Sequence, residues 1–157
     1  ANMYGKALVD KAARGFLLTA QYARIMAIEN QIEYRIFLDL ANNGFYLGST
    51  TWNEEAEEVQ ESIVSDYYCK PVEMEGNVTF EDIQVLPVGM ETEIAGDEEG
   101  ASILFRPDGT AQAAIVQIGD GKTHFAIAIS PATGLAKITS GTSENISIGV
   151  MDLDAME

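Results

Sequence analysis

In the first thirty residues, apolar positions recur every three or four residues, which is the period of an α-helix. Helix-forming residues dominate between residues 4 and 28 and no proline occurs there, so the pattern predicts one helix over 4–28. Its apolar stripe recurs at steps of three and four residues and consists of Val9, Ala13, Phe16, Ala20, Ala23 and Ala27. Four large apolar residues interrupt the polar side: Leu17, Leu18, Ile25 and Ile28. They indicate either a helix sunk deep in its own domain or a helix with a second partner on its outer side.

After the helix the period changes to two. Apolar residues at the even positions 32–40 alternate with mostly polar ones, which predicts a half-buried strand. Asn42-Asn43-Gly44 is a turn signal, because Asn and Gly tolerate positive φ. Residues 45–47 then return as the second arm, so 29–50 is predicted to form a first hairpin.

The C-terminal part has the pattern of short strands separated by turns. Strands are predicted over 102–105, 113–118, 124–129 and 135–139, and Ile146, Ile148 and Val150 are candidates for the last one. Residues 101–150 are therefore expected to form an antiparallel meander, followed by a tail at 151–157. One long helix followed by antiparallel sheet predicts an α+β fold, and 157 residues fit a single domain over 1–157.

The acidic residues are concentrated in the middle of the chain. The formal net charge is −16, and residues 51–100 alone contribute −14 of it. We expect 51–100 to be an acidic region, with a short helix capped by Thr50 or Asn53, a strand over 78–86 that turns Ile83 and Val85 inward, and an acidic loop at 90–100. This acidity opposes a nucleic-acid surface and a polybasic membrane patch, since both require clustered Lys and Arg.

Candidate chemistry is sparse. The sequence contains no Gly-x-Ser-x-Gly elbow, phosphate loop or Cys-x-x-Cys pair. His124 is the only histidine and would need a positioned partner to act as a base, so we interpret it as an ordinary strand residue. Cys69 is the only cysteine; Lys70 beside it favours a lowered thiol pKa, but a Cys-His nucleophile is not expected.

Two acidic runs contain enough oxygen ligands for calcium. They are the five glutamates between residues 54 and 61 and the acidic residues at 97–99. Neither has the spacing of a known calcium loop. We expect a solvated acidic face, with no catalytic residue, metal or cofactor.

Three segments resemble the GspH/FimT-like family, which comprises the H-type minor pseudopilins of type II secretion and related minor pilins of type IV pili. The first is the Ala/Arg-rich helix end over 12–28, which runs into the apolar strand Tyr-Arg-Ile-Phe-Leu-Asp at 34–39. The second is Ile-Leu-Phe-Arg-Pro-Asp-Gly at 103–109. The third is the hairpin over 126–138 with Thr133-Gly134 at its turn. The region 51–100 matches nothing in the family pattern, and because the family varies there, the resemblance implies that 51–100 is an acidic variable region.

The resemblance implies a non-enzymatic structural subunit with a pilin-like head, placed near the tip of a pilus-like fibre. Residues 1–28 would be the C-terminal half of a long helix whose apolar N-terminal half is missing from this chain. That missing half would anchor the protein in the inner membrane, with the head on the periplasmic side. Expected partners are other pseudopilin or pilin subunits and exported protein cargo.

The partner-contacting residues predicted on this basis form two groups. The helix contributes Leu17, Leu18, Ile25 and Ile28, and the head contributes Trp52, Glu54 and Glu55. Two alternatives remain open: a DNA-uptake minor pilin, for which Lys6, Lys11, Arg14 and Arg24 come nearest to clustering, and a cytosolic α+β domain that binds a small ligand.

Overall fold

The structure is a computed structural model that describes residues 3–87 and 101–145. The expected strand at Ile146, Ile148 and Val150, the acidic loop at 90–100 and the tail at 151–157 lie outside these ranges. The described elements are a helix, nine strands and a short 3₁₀ helix in this order: α1 Met3–Asn30, β1 Tyr34–Asp39, β2 Gly44–Asn53, β3 Glu58–Ile63, β4 Val72–Glu73, β5 Thr79–Val85, β6 Ala101–Phe105, β7 Ala114–Gly119, β8 His124–Ile129, β9 Ala136–Ser140 and the 3₁₀ helix Ser143–Asn145.

The helix α1 buries the apolar stripe that its sequence predicts. All six stripe residues are buried, together with Ala12 and Thr19. Because four of the six are alanines, the helix backbone lies close to the sheets. The helix ends where Gln31 takes a positive φ of 57° and its N–H donates to the carbonyl of Ala27 at 2.9 Å.

Among the residues that the structure describes, no helix combines the length and the apolar character needed to cross a bilayer.

The strands form two antiparallel sheets. Sheet 1 has the order β3-β2-β1-β6, with β4 beside β2, and sheet 2 has the order β5-β7-β8-β9. The prediction of one meander over 101–150 is therefore wrong for β6. This strand pairs with β1, which places Ile103 opposite Ile36. The β5 strand takes the place beside β7 instead. The predicted α+β class is confirmed.

The core lies between α1 and the inner faces of both sheets. Phe16 of α1 is fully buried at its centre. Its ring lies edge-on to Phe45 of sheet 1, with ring centroids 5.1 Å apart, and to Phe80 of sheet 2, at 6.3 Å. Ile83 and Val85 of β5 also pack against this core, as predicted. One aromatic cluster thus joins all three layers.

The prediction of a short helix after Thr50 or Asn53 is wrong. Strand β2 continues to Asn53, and the chain returns as β3 after a four-residue turn. The Asn53 side chain caps this turn instead, since its Oδ1 accepts the N–H of Ala56 at 2.9 Å. The β-branched and aromatic residues Thr50, Thr51 and Trp52 favour the strand, and this preference outweighs the acidic run behind them.

The first hairpin has the predicted turn. Asn43 adopts a φ of 53°, as the Asn-Asn-Gly signal requires. Gly44 is needed for a different reason, because a Cβ there would collide with the backbone carbonyl of Val72 in β4. The turn therefore also fixes where β4 joins sheet 1.

Candidate functional site

The outer side of α1 exposes two of the four large apolar residues predicted there. Leu18 and Ile25 are 63% and 45% exposed, and their spacing of seven residues places them on one face. Leu17 is half-buried and packs against the core. Ile28 is half-buried beside the turn at Gly109, where an added Cβ would lie 3.7 Å from its Cδ1. The exposed pair is therefore Leu18 and Ile25.

Three tyrosines extend this exposed pair into a larger surface. Tyr22 lies on the same helix face, between Leu18 and Ile25. Its ring centroid is 6.4 Å from that of Tyr68, and the ring of Tyr67 stands edge-on to Tyr68 at 5.2 Å. Both Tyr67 and Tyr68 are exposed. We call these five residues the helix patch; exposed clusters of Leu, Ile and Tyr are typical of protein contact surfaces.

A turn centred on Asp66 presents the two exposed tyrosines. Asp66 Oδ1 accepts the backbone N–H groups of Tyr68 and Cys69, each at 2.8 Å. The hydroxyl of Tyr22 donates to Asp66 Oδ2 at 3.0 Å, which ties the turn to the helix. Burial alone would raise the pKa of Asp66, but these hydrogen bonds lower it. Tyr67 and Tyr68 are not among the residues predicted from the sequence, although an Asp at the start of a turn, as at Asp66, is a recognisable Asx-turn signal.

The second predicted surface lies on a β-hairpin formed by residues 48–63, which we call the acidic hairpin. Trp52 is 60% exposed and lies directly opposite Val59, which is also exposed. Ile63, opposite Gly48, adds a third exposed apolar side chain. These side chains give the hairpin an apolar strip among its acidic residues.

The acids of the hairpin surround this strip. Glu54 and Glu55 are exposed in the turn, and no Lys or Arg occurs between residues 51 and 69. Glu58 and Glu61 follow in β3, whose residues are all exposed. Burial and then the charges of Glu61 and Asp39 raise the pKa of Tyr46 on the neighbouring sheet surface. The hairpin therefore presents a strongly negative surface.

The two groups of predicted residues do not share one surface. Phe45 and Leu47 of β2 point into the core that α1 covers. Because side chains alternate along a strand, Tyr46 and Trp52 lie on the opposite face of sheet 1. Tyr46 stacks there on Phe37, with ring centroids 5.1 Å apart. The helix patch and the acidic hairpin are thus two separate candidate contact surfaces.

His124 has a partner that the sequence analysis did not identify. Its Nδ1 lies 2.7 Å from Oε1 of Glu81, which also accepts the side-chain amide of Gln117 at 2.6 Å. Glu81 Oε2 accepts the backbone N–H of Gly121 at 2.8 Å. Burial raises the pKa of Glu81, and the hydrogen bonds more than offset it, so that the pKa is lowered. Through these hydrogen bonds Glu81 connects β5 to Gln117 of β7 and to His124 of β8.

Cys69 does not have the lowered pKa that Lys70 was expected to cause. Its thiol is buried, and burial raises its pKa above the ordinary value. A raised pKa disfavours the thiolate that nucleophilic chemistry requires.

In the described segments, three of the four helix cations that come nearest to clustering have partners within the protein, and the fourth, Lys6, lines a cleft. Within 3–87 and 101–145, no three His, Cys, Asp or Glu side chains are placed to hold a metal ion. On the helix, Lys11 pairs with Glu75 and Arg14 pairs with Asp10, each at 2.9 Å. Arg24 donates to the carbonyl of Thr133 at 2.7 Å. These three cations are engaged within the protein.

A cleft of about 240 Å³ lies between the first turns of α1 and the loops at 76–78 and 120–123. Its lining includes Tyr4, Lys6, Asp120 and Lys122. Ligand pockets usually have volumes of about 300–1,000 Å³, so this cleft does not favour the small-ligand alternative.

Comparison with known proteins gives a likeness in structure. No protein-family model matches the chain, and no curated protein matches it in sequence. Two solved structures of the minor pseudopilin EpsH from the type II secretion system of Vibrio cholerae do match. One matches with a TM-score of 0.63 at 14% identity, over 88% of this chain and 98% of the solved EpsH chain. The other has a TM-score of 0.60 at 10% identity and covers 84% and 96%. The chain therefore has the fold of a minor pseudopilin.

Proposed function

We propose that this protein is a pseudopilin-like structural subunit of a type II secretion pseudopilus or a type IV pilus. It acts by assembly near the fibre tip and by contact with partner subunits or exported cargo, and it catalyses no reaction. The observation that carries this proposal is the fold shared with EpsH over nearly the whole EpsH chain. The exposed helix patch agrees with it, because a fibre subunit needs apolar surface beyond its own core.

In this function the two contact surfaces have different roles. The helix patch contacts neighbouring subunits along the fibre, since it lies on the long helix and is the more apolar of the two. The acidic hairpin belongs to the head and selects a partner or cargo. The subunit would lie on the periplasmic side of the inner membrane and be held there before assembly by an apolar helical segment upstream of residue 1.

The test is a double substitution, Leu18→Asp with Ile25→Asp, in the full-length protein in its own host. Both side chains are exposed, so the fold should be retained while burial of the patch in an interface becomes unfavourable. We expect fibre assembly and secretion to be lost. Leu40→Asp is the matched control, because Leu40 is also exposed but lies in the turn after β1.

The circular dichroism spectrum and unfolding midpoint of the double variant should match those of the parent protein. Normal assembly by a folded double variant would show that the helix patch is not a subunit contact. Equal loss of assembly in the Leu40→Asp control would likewise contradict the assignment to this patch.

A further inference from the structure

Strand β3 is an unpaired edge of sheet 1 within the described residues. It pairs with β2 on one side, and no described strand lies on its other side. The N–H of Val64 donates to the carbonyl of Leu47 at 2.8 Å, which fixes which residues of β3 bond to β2. Because bonded and non-bonded pairs alternate, Val59, Glu61 and Ile63 direct their backbone N–H and C=O groups away from the sheet.

This edge carries the charges of Glu58 and Glu61, which disfavour an acidic added strand, but it lacks the other features that usually prevent pairing with another chain. Residues 58–63 contain no proline, no lysine and no glycine, and no register shift interrupts their pairing with β2. The strand is six residues long, which is the ordinary length of a paired strand. Its backbone groups therefore form a ready template for one more strand.

The side chains around the edge specify what such a strand should be. On one face, Val59 and Ile63 are exposed and flank Glu61; on the other face lies Glu58. The hairpin carries five glutamates between residues 54 and 61 and no cation. An added strand that alternates apolar residues with Lys or Arg satisfies both the apolar contacts and the charge.

We propose that β3 binds an extended, basic segment of a partner protein as an added antiparallel or parallel strand of sheet 1. The backbone of Val59, Glu61 and Ile63 supplies the hydrogen bonds, and the glutamates select a basic partner. This inference deepens the proposed function, on which its biological meaning rests, by naming the chemistry of the partner that the head recognises.

Trp52 allows the binding to be measured directly. It is the only tryptophan of the chain and lies opposite Val59, so its fluorescence reports on the hairpin. The probe is a synthetic peptide of about nine residues in which valine and lysine alternate. We expect a saturable change in Trp52 fluorescence that weakens as salt is added. A peptide alternating valine and glutamate should give no change.

Two controls separate strand addition from simple charge attraction. The first is the same Val-Lys peptide with an N-methyl group on every residue, which keeps the side-chain charges but leaves no backbone N–H on either edge of the peptide; it should not bind. The second compares Glu61→Pro with Glu61→Gln. Both remove the charge, but only proline removes the outward N–H, and it leaves the β2 pairing intact. We expect Glu61→Pro to bind about threefold to tenfold more weakly than Glu61→Gln.

The inference is wrong if the Val-Lys peptide does not bind, if its N-methylated form binds equally well, or if the two Glu61 variants have equal affinity. These outcomes leave the proposed function untouched, because that proposal is tested through Leu18 and Ile25 in assembly. Conversely, if the Leu18→Asp, Ile25→Asp double variant assembled normally, the proposed subunit contact would be wrong, but the expected result of the peptide titration would stay the same.

Discussion

Strands β3 and β7 are both six residues long and both lie in antiparallel sheets, but their environments are opposite. Every residue of β7 is buried, and every residue of β3 is exposed. The β7 strand lies between β5 and β8 and contributes to the core, whereas β3 forms the edge of sheet 1. This fold therefore contains one region whose sequence is constrained by packing and another whose sequence is free to vary with a binding partner.

The largest effect that tests this contrast comes from the same substitution in the two strands. Ile118→Ala in β7 removes a fully buried side chain and should lower the free energy of unfolding by about 2–5 kcal/mol. Ile63→Ala in β3 removes an exposed side chain and should change it by no more than about 0.5 kcal/mol. Urea unfolding of both variants measures the difference. Equal losses would mean that β3 carries as much of the stability as β7.

An intermediate effect is expected from the pair that joins β5 to the central strands of sheet 2. Glu81→Gln replaces a carboxylate that accepts three hydrogen bonds with an amide that has one acceptor oxygen. We expect a loss of about 1–3 kcal/mol in urea unfolding near neutral pH. Glu58→Gln, in the exposed β3, is the control and should have almost no effect.

The loss caused by Glu81→Gln should depend on pH. The pKa of Glu81 is lowered in the folded protein from its ordinary value of 4.5, so ionised Glu81 contributes its full stability above that value. The contribution disappears as the pH falls through the lower folded-state pKa. The two unfolding curves should therefore converge in acid. A difference that stays constant down to the acid limit would show that the charge of Glu81 is not responsible.

The smallest expected effect concerns the apolar pair within the acidic hairpin. Trp52 and Val59 are directly opposite each other, and such cross-strand pairs contribute about 0.2–1 kcal/mol. A double-mutant cycle with Trp52→Ala and Val59→Ala should give a coupling free energy in this range. A coupling above it would indicate that the hairpin is stabilised by its own packing, and the contrast with β7 would then be weaker.

The same contrast explains how much of the fold could be predicted from sequence. Burial gives α1 its stripe of Val9 to Ala27 and gives β8 its bounds, because buried positions must be apolar and their spacing reveals the element. No such signal marks β3, in which Glu58, Gln60 and Ser62 alternate with residues that are just as exposed. Its strand conformation depends on pairing with β2 and on the turn at Asn53.

Contacts between distant segments could not be predicted either. The pairing of β6 with β1, and of His124 with Glu81 43 residues away, depends on the arrangement of whole sheets. For the candidate site, the pattern of α1 predicts four large apolar residues on its polar side, of which Leu18 and Ile25 are exposed; their contact with a partner stays a prediction. Tyr67 and Tyr68 were missed because the Asp66 turn, and not a periodic pattern, brings them beside the helix.

The pairing of β1 with β6 also has a consequence for how the chain matures. A ribosome delivers β1 long before β6, and Arg35 reaches its partner Ser102 only 67 residues later. Until then the first hairpin has an open inner edge beside apolar side chains, a state that favours aggregation. The edge of β1 is therefore open to non-native pairing until residue 105 has emerged.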